Sequence, residues 1–308
     1  MALRAHRQGG PEVLVYESAP RPTPGNGEVL IAVHAAAITF AELTWPETWV
    51  SGGVDRTPVI PSHEFSGVAV EVGNGVTGVS IGDEVYGLVP FDRDGAAAEY
   101  VSVPAASVAT RPRTVSHVAA AAAVLPALTA WEALVDQAKV QPGEHLLVNG
   151  GAGGVGAFVT QLATALGASV TATVHATDAE YVLALGAERA ITEQESLDAE
   201  RGTFDAVIDA VGKETPEGLF AALRRGGRLI TLQEPPSQEL ADKYGVTALF
   251  FVVTANRDRL AQVADMIDLG KLKVSVAATF PLAEGRAAYD SGASRRHRPG
   301  KTVLVVRD

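Results

Sequence analysis

His145-Leu146-Leu147-Val148-Asn149 runs straight into Gly150-Gly151-Ala152-Gly153-Gly154-Val155-Gly156. The first five residues are an apolar run of strand length. From Val155 onward the spacing turns helical, with Val155, Phe158, Val159, Leu162, Ala163 and Leu166 on one face. Gly151, Gly153 and Gly156 fit G-x-G-x-x-G, a weak pattern alone that gains meaning between a strand and a helix. Glycines there let the backbone approach a pyrophosphate, and unpaired N–H groups at a helix start favour negative charge. The stretch therefore reads as the phosphate turn of a dinucleotide fold, with Gly151, Ala152, Gly153, Gly154 and Val155 as contacts. The competing reading, a glycine turn that merely packs a helix on a strand, is disfavoured because a second strand follows at the expected place, near 169–174.

Downstream, strand patterns at 206–209, 228–232 and 249–253 alternate with helical ones. One helix ends at Leu185-Gly186-Ala187, where the glycine is a C-cap candidate. Such alternation implies a parallel sheet with helices on both faces. Residues 1–117 differ: short strands at 13–16, 28–34, 68–72, 84–88 and 99–103 are punctuated by Pro20 to Pro24 and by glycines at 73, 75, 78, 82 and 87. That density suits a β-rich, barrel-like domain. Strand texture returns after 273 and ends in Thr302-Val303-Leu304-Val305-Val306. The expected organisation is a catalytic β-rich domain at 1–117, a dinucleotide-binding domain at 118–273, and a return to the first domain at 274–308.

The 308 residues carry a formal charge of −11, which argues against nucleic acid and anionic membrane surfaces as partners. There is no cysteine, so neither disulfides nor thiolate zinc sites can form. The N-terminus lacks a secretory pattern, and the apolar run 118–128 reads as too short to span a bilayer. A cytoplasmic location is the expectation.

Several segments resemble the medium-chain dehydrogenases/reductases, on their quinone oxidoreductase branch. They are Pro61-Ser62-His63-Glu64-Phe65-Ser66-Gly67-Val68, Gly82-Asp83-Glu84-Val85-Tyr86-Gly87, Ala97-Ala98-Glu99-Tyr100-Val101, Leu128-Thr129-Ala130-Trp131, the glycine turn through Gln161-Leu162-Ala163, Asp209-Ala210-Val211-Gly212 and Gly300-Lys301-Thr302-Val303-Leu304. The resemblance covers nearly the whole chain. It implies a Rossmann-type doubly wound sheet beside a GroES-like β-rich catalytic domain, with the active site in the cleft between them. It further implies metal-free, NADPH-dependent reduction of quinones or activated alkenes, and a homodimer paired through the strand near 249–253.

The same resemblance places Thr129 near the nicotinamide ring and the backbone of Phe251-Val252-Val253 at the carboxamide. Val211 and Leu232 lie at strand ends, where ligands sit in open α/β sheets. Val174 and His175 occupy the ribose end, where an acid about 20 residues past the glycines would hold NAD. No acid stands there, which leans toward NADPH, with NADH as the alternative. The lysine and tyrosine that usually hold the extra phosphate are missing; Asp178-Ala179-Glu180 and Thr192-Glu193 stand in those neighbourhoods. Asp178 reads better as a helix start than as a ribose ligand.

For chemistry, relatives carry Asn and Asp at the positions of Thr39 and Glu42. Thr39 keeps a hydroxyl donor and is the catalytic candidate. Phe40, Trp45 and Trp49 are candidate pocket walls for a small apolar or aromatic carbonyl substrate, with packing an equal explanation for each Trp. His63 lies in the zinc-ligand region of metal-dependent relatives, but one histidine without cysteines cannot hold a catalytic zinc. It reads as a hydrogen-bonded turn residue or a pocket lining, and no metal is expected. The cluster Arg295-Arg296-His297-Arg298 reads as a solvated loop. No nucleophile triad is apparent. Two alternatives share the fold: a repurposed cleft (cyclase-like or other tailoring chemistry) and a nucleotide sensor. A zinc alcohol dehydrogenase is a third possibility and would need stoichiometric metal.

Overall fold

The computed structural model describes residues 1–212, 215–293 and 298–307. The chain divides into two compact units. One comprises Pro126–Val253 with Lys271–Lys273; the other comprises Met1–Leu125, Thr254–Gly270 and Val274–Asp308.

In the first unit, β1 (His145–Asn149), β2 (Ser169–Val174), β3 (Arg189–Thr192), β4 (Phe204–Asp209), β5 (Leu223–Thr231) and β6 (Thr247–Phe250) form one sheet in the order 3-2-1-4-5-6. Every neighbouring pair is parallel. Leu146, Leu147 and Val148 are each fully buried. Continuous apolar strands of this kind belong to a sheet covered on both faces. A core of Leu147, Ile191, Phe204, Val207, Phe220 and Leu229 packs around it. Burying each such side chain contributes roughly 1.5–3 kcal/mol.

Helix α1 (Gly154–Ala165) is buried from Gly156 through Ala163, more completely than its single apolar face implies. The buried Gln161 is satisfied: its Oε1 accepts Lys273 N–H at 2.7 Å, and its Nε2 donates to Ala157 O at 3.1 Å and Lys273 O at 3.2 Å. These bonds tie the three-residue segment 271–273 to this unit. Helix α2 (Ala179–Ala184) is followed by Gly186 at φ +108°, the left-handed backbone expected of a terminating glycine.

Strand edges differ from the sequence-based expectation in two places. Strand β5 starts earlier, at Leu223, and ends at Thr231, which leaves Leu232 just beyond it. Strand β6 stops at Phe250, whose partner is Thr231. Phe251, Val252 and Val253 are apolar enough to read as strand, but their neighbour β5 has already ended.

The second unit is built on a seven-stranded sheet. Its long strand Glu28–Ala37 pairs antiparallel along its length with Glu64–Val72, near its start with Tyr100–Pro104, and near its end with Lys301–Val305. Glu84–Leu88, Val108–Thr110 and Val276–Pro281 complete the sheet. Leu3, Val29, Ile31, Val33, Phe65 and Leu304 share its core.

The division departs from boundaries at 117/118 and 273/274. Residues 118–125 and helix α3 (Arg257–Asp268) belong to the β-rich unit. The cause lies in specific bonds. Tyr86 donates its hydroxyl to Leu260 O, and Asp268 accepts the N–H groups of Arg113 and Thr114 at 3.1 and 2.9 Å. The apolar run 118–128 also extends further than expected. Its α-helix, His117–Trp131, continues as a π-helix over Glu132–Gln137. The resulting 21 residues are long and apolar enough to cross a membrane by length and composition, yet 72% of the most apolar window is buried inside the protein, as in a core helix.

Candidate functional site

The glycine turn sits at the C-terminal end of β1, next to the point where strand order reverses between β1 and β4. Ligands of open α/β sheets bind at such switch points. Gly150 adopts φ +81°. A Cβ at Gly156 would lie 2.1 Å from Gly150 O, so only glycine lets the helix start this close to the turn. Gly153 is the N-cap and brings no side-chain oxygen of its own. The N–H groups of Gly154 and Val155 open the first turn of α1, where intrahelical acceptors do not exist. Gly151 N–H donates to Thr173 O and Gly153 N–H to Gly150 O. These two bonds shape the loop and leave the helix start to an anion.

Three adjacent strand ends are knitted beneath this loop. Asn149 Nδ2 donates to Asp209 Oδ1 at 2.9 Å, Thr173 Oγ1 donates to Asn149 Oδ1 at 2.5 Å, and Gly150 N–H donates to Thr173 Oγ1 at 3.1 Å. Asp209, 1% exposed, also accepts from Val211 N–H and the Thr215 hydroxyl. The sequence motifs contain Asn149 and Asp209 without assigning them a role; their link spans 60 residues and has no local signature.

Thr129 is 7% exposed and its hydroxyl has no hydrogen-bond partner. A buried unsatisfied hydroxyl costs roughly 1–3 kcal/mol. A ligand amide is the kind of group that would satisfy it, so this residue fits the nicotinamide position assigned by resemblance. Val211 is 60% exposed, Leu232 donates its N–H to Asp209 O, and Val253 is buried beyond the end of β6. At the ribose end Val174 closes β2, and the His175 side chain is 80% exposed. Glu193, after β3, accepts Ala176 N–H at 2.9 Å and stands 3.9 Å from His175 Nδ1.

The β-rich unit gathers a second set of groups where three strands meet. Thr39 follows Glu28–Ala37, Glu64 opens its neighbour on one side, and Lys301 opens its neighbour on the other. Lys301 Nζ lies 2.6 Å from Glu64 Oε1 and donates to Thr39 Oγ1 at 3.0 Å; Thr39 donates to Glu64 Oε1 at 3.2 Å. Glu64 Oε2 accepts Leu125 N–H. Beside them Glu42, 1% exposed, accepts the Tyr289 hydroxyl and Ser62 N–H. Burial pushes the Glu42 carboxyl up to about 7, against the pull of these two hydrogen bonds.

Of the proposed pocket aromatics, Phe40 is 38% exposed and Trp45 makes an edge contact with Phe91 at 5.7 Å. Trp49 is corrected to core: it is 3% exposed and its Nε1 donates to Leu43 O. His63 is buried, packs on Phe91 and bonds Val89 O through Nδ1 at 3.2 Å. Burial lowers its pKa to about 4, so the ring is neutral. Arg295, Arg296 and His297 lie outside the described residues, as do Lys213 and Glu214. Among the described residues, no group of three or more His, Asp or Glu side chains is arranged to hold a metal ion.

Residues 25–113 match the alcohol dehydrogenase GroES-like domain family, and residues 185–304 match the zinc-binding dehydrogenase family. A probable zinc-binding oxidoreductase of Arthroderma benhamiae is 30% identical, covering 95% of this chain and 93% of that protein. The chain belongs to the medium-chain dehydrogenase/reductase superfamily. Within that superfamily, the NADPH-dependent alkenal/one oxidoreductase of Arabidopsis thaliana is 32% identical over 96% of this chain and 77% of its own length. The solved quinone oxidoreductase of Coxiella burnetii superposes with a TM-score of 0.88 at 28% identity over 99% of both chains. Whatever the zinc in the Arthroderma protein's name refers to, this superfamily member has no cysteine to offer a metal, and His63 is buried and bonded to Val89 O.

Proposed function

We propose that this oxidoreductase, of the NAD(P)H-dependent quinone and enone reductase type, passes hydride from NADPH to quinones or α,β-unsaturated carbonyls without a metal. The observation that carries this reading is the Gly153-capped start of α1 at the switch point of a 3-2-1-4-5-6 parallel sheet. When bound, the nicotinamide supplies the hydride. The chain's residues do the rest. Gly154 and Val155 present amides to the pyrophosphate, and Thr129 offers its unpartnered hydroxyl to the ring end. Conjugated acceptors suit such a site, because hydride addition at carbon moves charge onto an oxygen that a protein donor can stabilise. Phe40, Trp45 and Phe91 supply apolar surface for a flat substrate.

The preference for NADPH rests on the lack of an acid at 173–175. Glu193 works against it, since its carboxylate sits beside Ala176 N–H and would repel the additional 2′-phosphate. Modest discrimination between NADPH and NADH is the consequence. Titration with each nucleotide, followed by turnover across a panel of quinones and enones, tests the assignment. Binding with oxidation of the nucleotide supports it. Tight binding without consumption assigns the site to nucleotide sensing, and no binding assigns a repurposed cleft.

A further inference from the structure

Lys301, Glu64 and Thr39 come together because the strands they flank pair in register: Glu64 lies opposite Ala37 on one side, and Val303 lies opposite Ala37 on the other. The Glu64 and Lys301 side chains are only 1% and 12% exposed. An ion pair sealed in this way adds little net stability, because the cost of desolvation offsets the attraction, and apolar residues would hold the strand ends as well. What apolar residues would not supply is a charged amine touching a hydroxyl. Thr39 is half-buried, less enclosed than Glu64, and its hydroxyl accepts from Lys301 Nζ at 3.0 Å. Its own bond to Glu64, 3.2 Å, is longer than the roughly 2.7–2.8 Å usual between oxygens, so this proton is weakly committed.

Building on the reductase reading, we propose that Thr39 is the proton donor of the reduction and that Lys301, held by Glu64, resupplies it. Hydride forms the new C–H bond at the β-carbon of the enone. The C=C pair shifts and leaves the charge on the carbonyl oxygen. The Thr39 O–H bond breaks and its proton goes to that oxygen, while one Lys301 N–H bond breaks and its proton goes to the Thr39 oxygen. The enol then tautomerises, and Lys301 recovers its proton from solvent. Thr39 is the catalytic residue in this scheme; Lys301 and Glu64 act through it as positioning residues.

The test compares an enone with a quinone. The hydroquinone anion is a weaker base than an enolate and takes its proton from water. Thr39→Val is expected to lower enone kcat about 100-fold, in the range of general acid catalysis. Quinone kcat and the nucleotide Kd should change far less, and Thr39→Ser should restore enone turnover. Lys301→Met alone strands a buried carboxylate, so the companion variant is Lys301→Met with Glu64→Gln, which should show the same enone-selective loss. Equal losses on both substrates, or an unchanged enone rate in Thr39→Val, overturn the proposal while leaving the reductase reading intact. A wild-type protein that reduces neither class overturns both.

Discussion

Glu42 shows how burial sets chemistry at a single residue. The folded protein holds its carboxyl near 7, above the ordinary 4.5. Below 4.5 the group is protonated whether the chain is folded or not. Between 4.5 and 7 the unfolded chain loses the proton while the folded one keeps it, so folding stability falls as pH rises through that window and levels off above it. Glu42→Gln should remove this slope, with Tyr289 turning to accept from the new amide. The variant should be the more stable protein in urea at pH 8 and show little advantage at pH 4.5. His63 has the opposite sign: its depressed pKa gives stability that is present above 6.5 and lost as pH falls toward 4. Neither effect was legible in the sequence. Glu42 was noted only for replacing an Asp, because its burial comes from Ser62 and Tyr289, 20 and 247 positions away. Thr39 was singled out by the resemblance alone, and its link to Lys301, 262 positions on, has no signature in the sequence.

The glycine turn was fully legible as an element, because strand, loop and helix follow one another in the chain. The support beneath it was not, because Asn149, Thr173 and Asp209 meet only after β1, β2 and β4 have paired. Asp209 accepts from three groups: Asn149 on the neighbouring strand, and Val211 and Thr215 in the stretch that follows it. Asp209→Ala leaves these donors without their acceptor and should cost about 1–3 kcal/mol of stability, read as a lower urea midpoint. Because Asn149 helps hold Thr173, and Thr173 holds Gly150, the same change should weaken nucleotide binding in a titration. An unchanged affinity would mean that the turn keeps its shape without this brace. The strand at 249–253 was legible in kind but misplaced in extent, because apolar composition marks a strand without saying where its partner stops.

In the whole molecule, β6 is the last strand of its sheet. Paired or covered edges are the rule for such strands, and we propose that a second copy of the chain covers this one. Light scattering should give twice the chain's 32.0 kDa; a monomeric mass at working concentration would refute it. The interleaving of the two units was legible only in outline. A change of texture near 118 and 273 showed that one unit interrupts the other, but side-chain bonds such as Tyr86 to Leu260 and Gln161 to Lys273 decide which unit each short segment joins.

That interruption bears on how the protein is made. Lys301–Val305 is an inner strand of its sheet, flanked by Glu28–Ala37 and Val276–Pro281. At roughly 5–20 residues per second, a ribosome would release Glu28–Ala37 many seconds before its partner emerges. The nucleotide unit, nearly contiguous, has time to close first, while the earlier-born strand, paired early with Glu64–Val72 and Tyr100–Pro104, waits with its Ala35–Ala37 end bare on one flank. A nascent chain stalled before Lys301 should therefore be the form most prone to clump, and the one that chaperones hold longest.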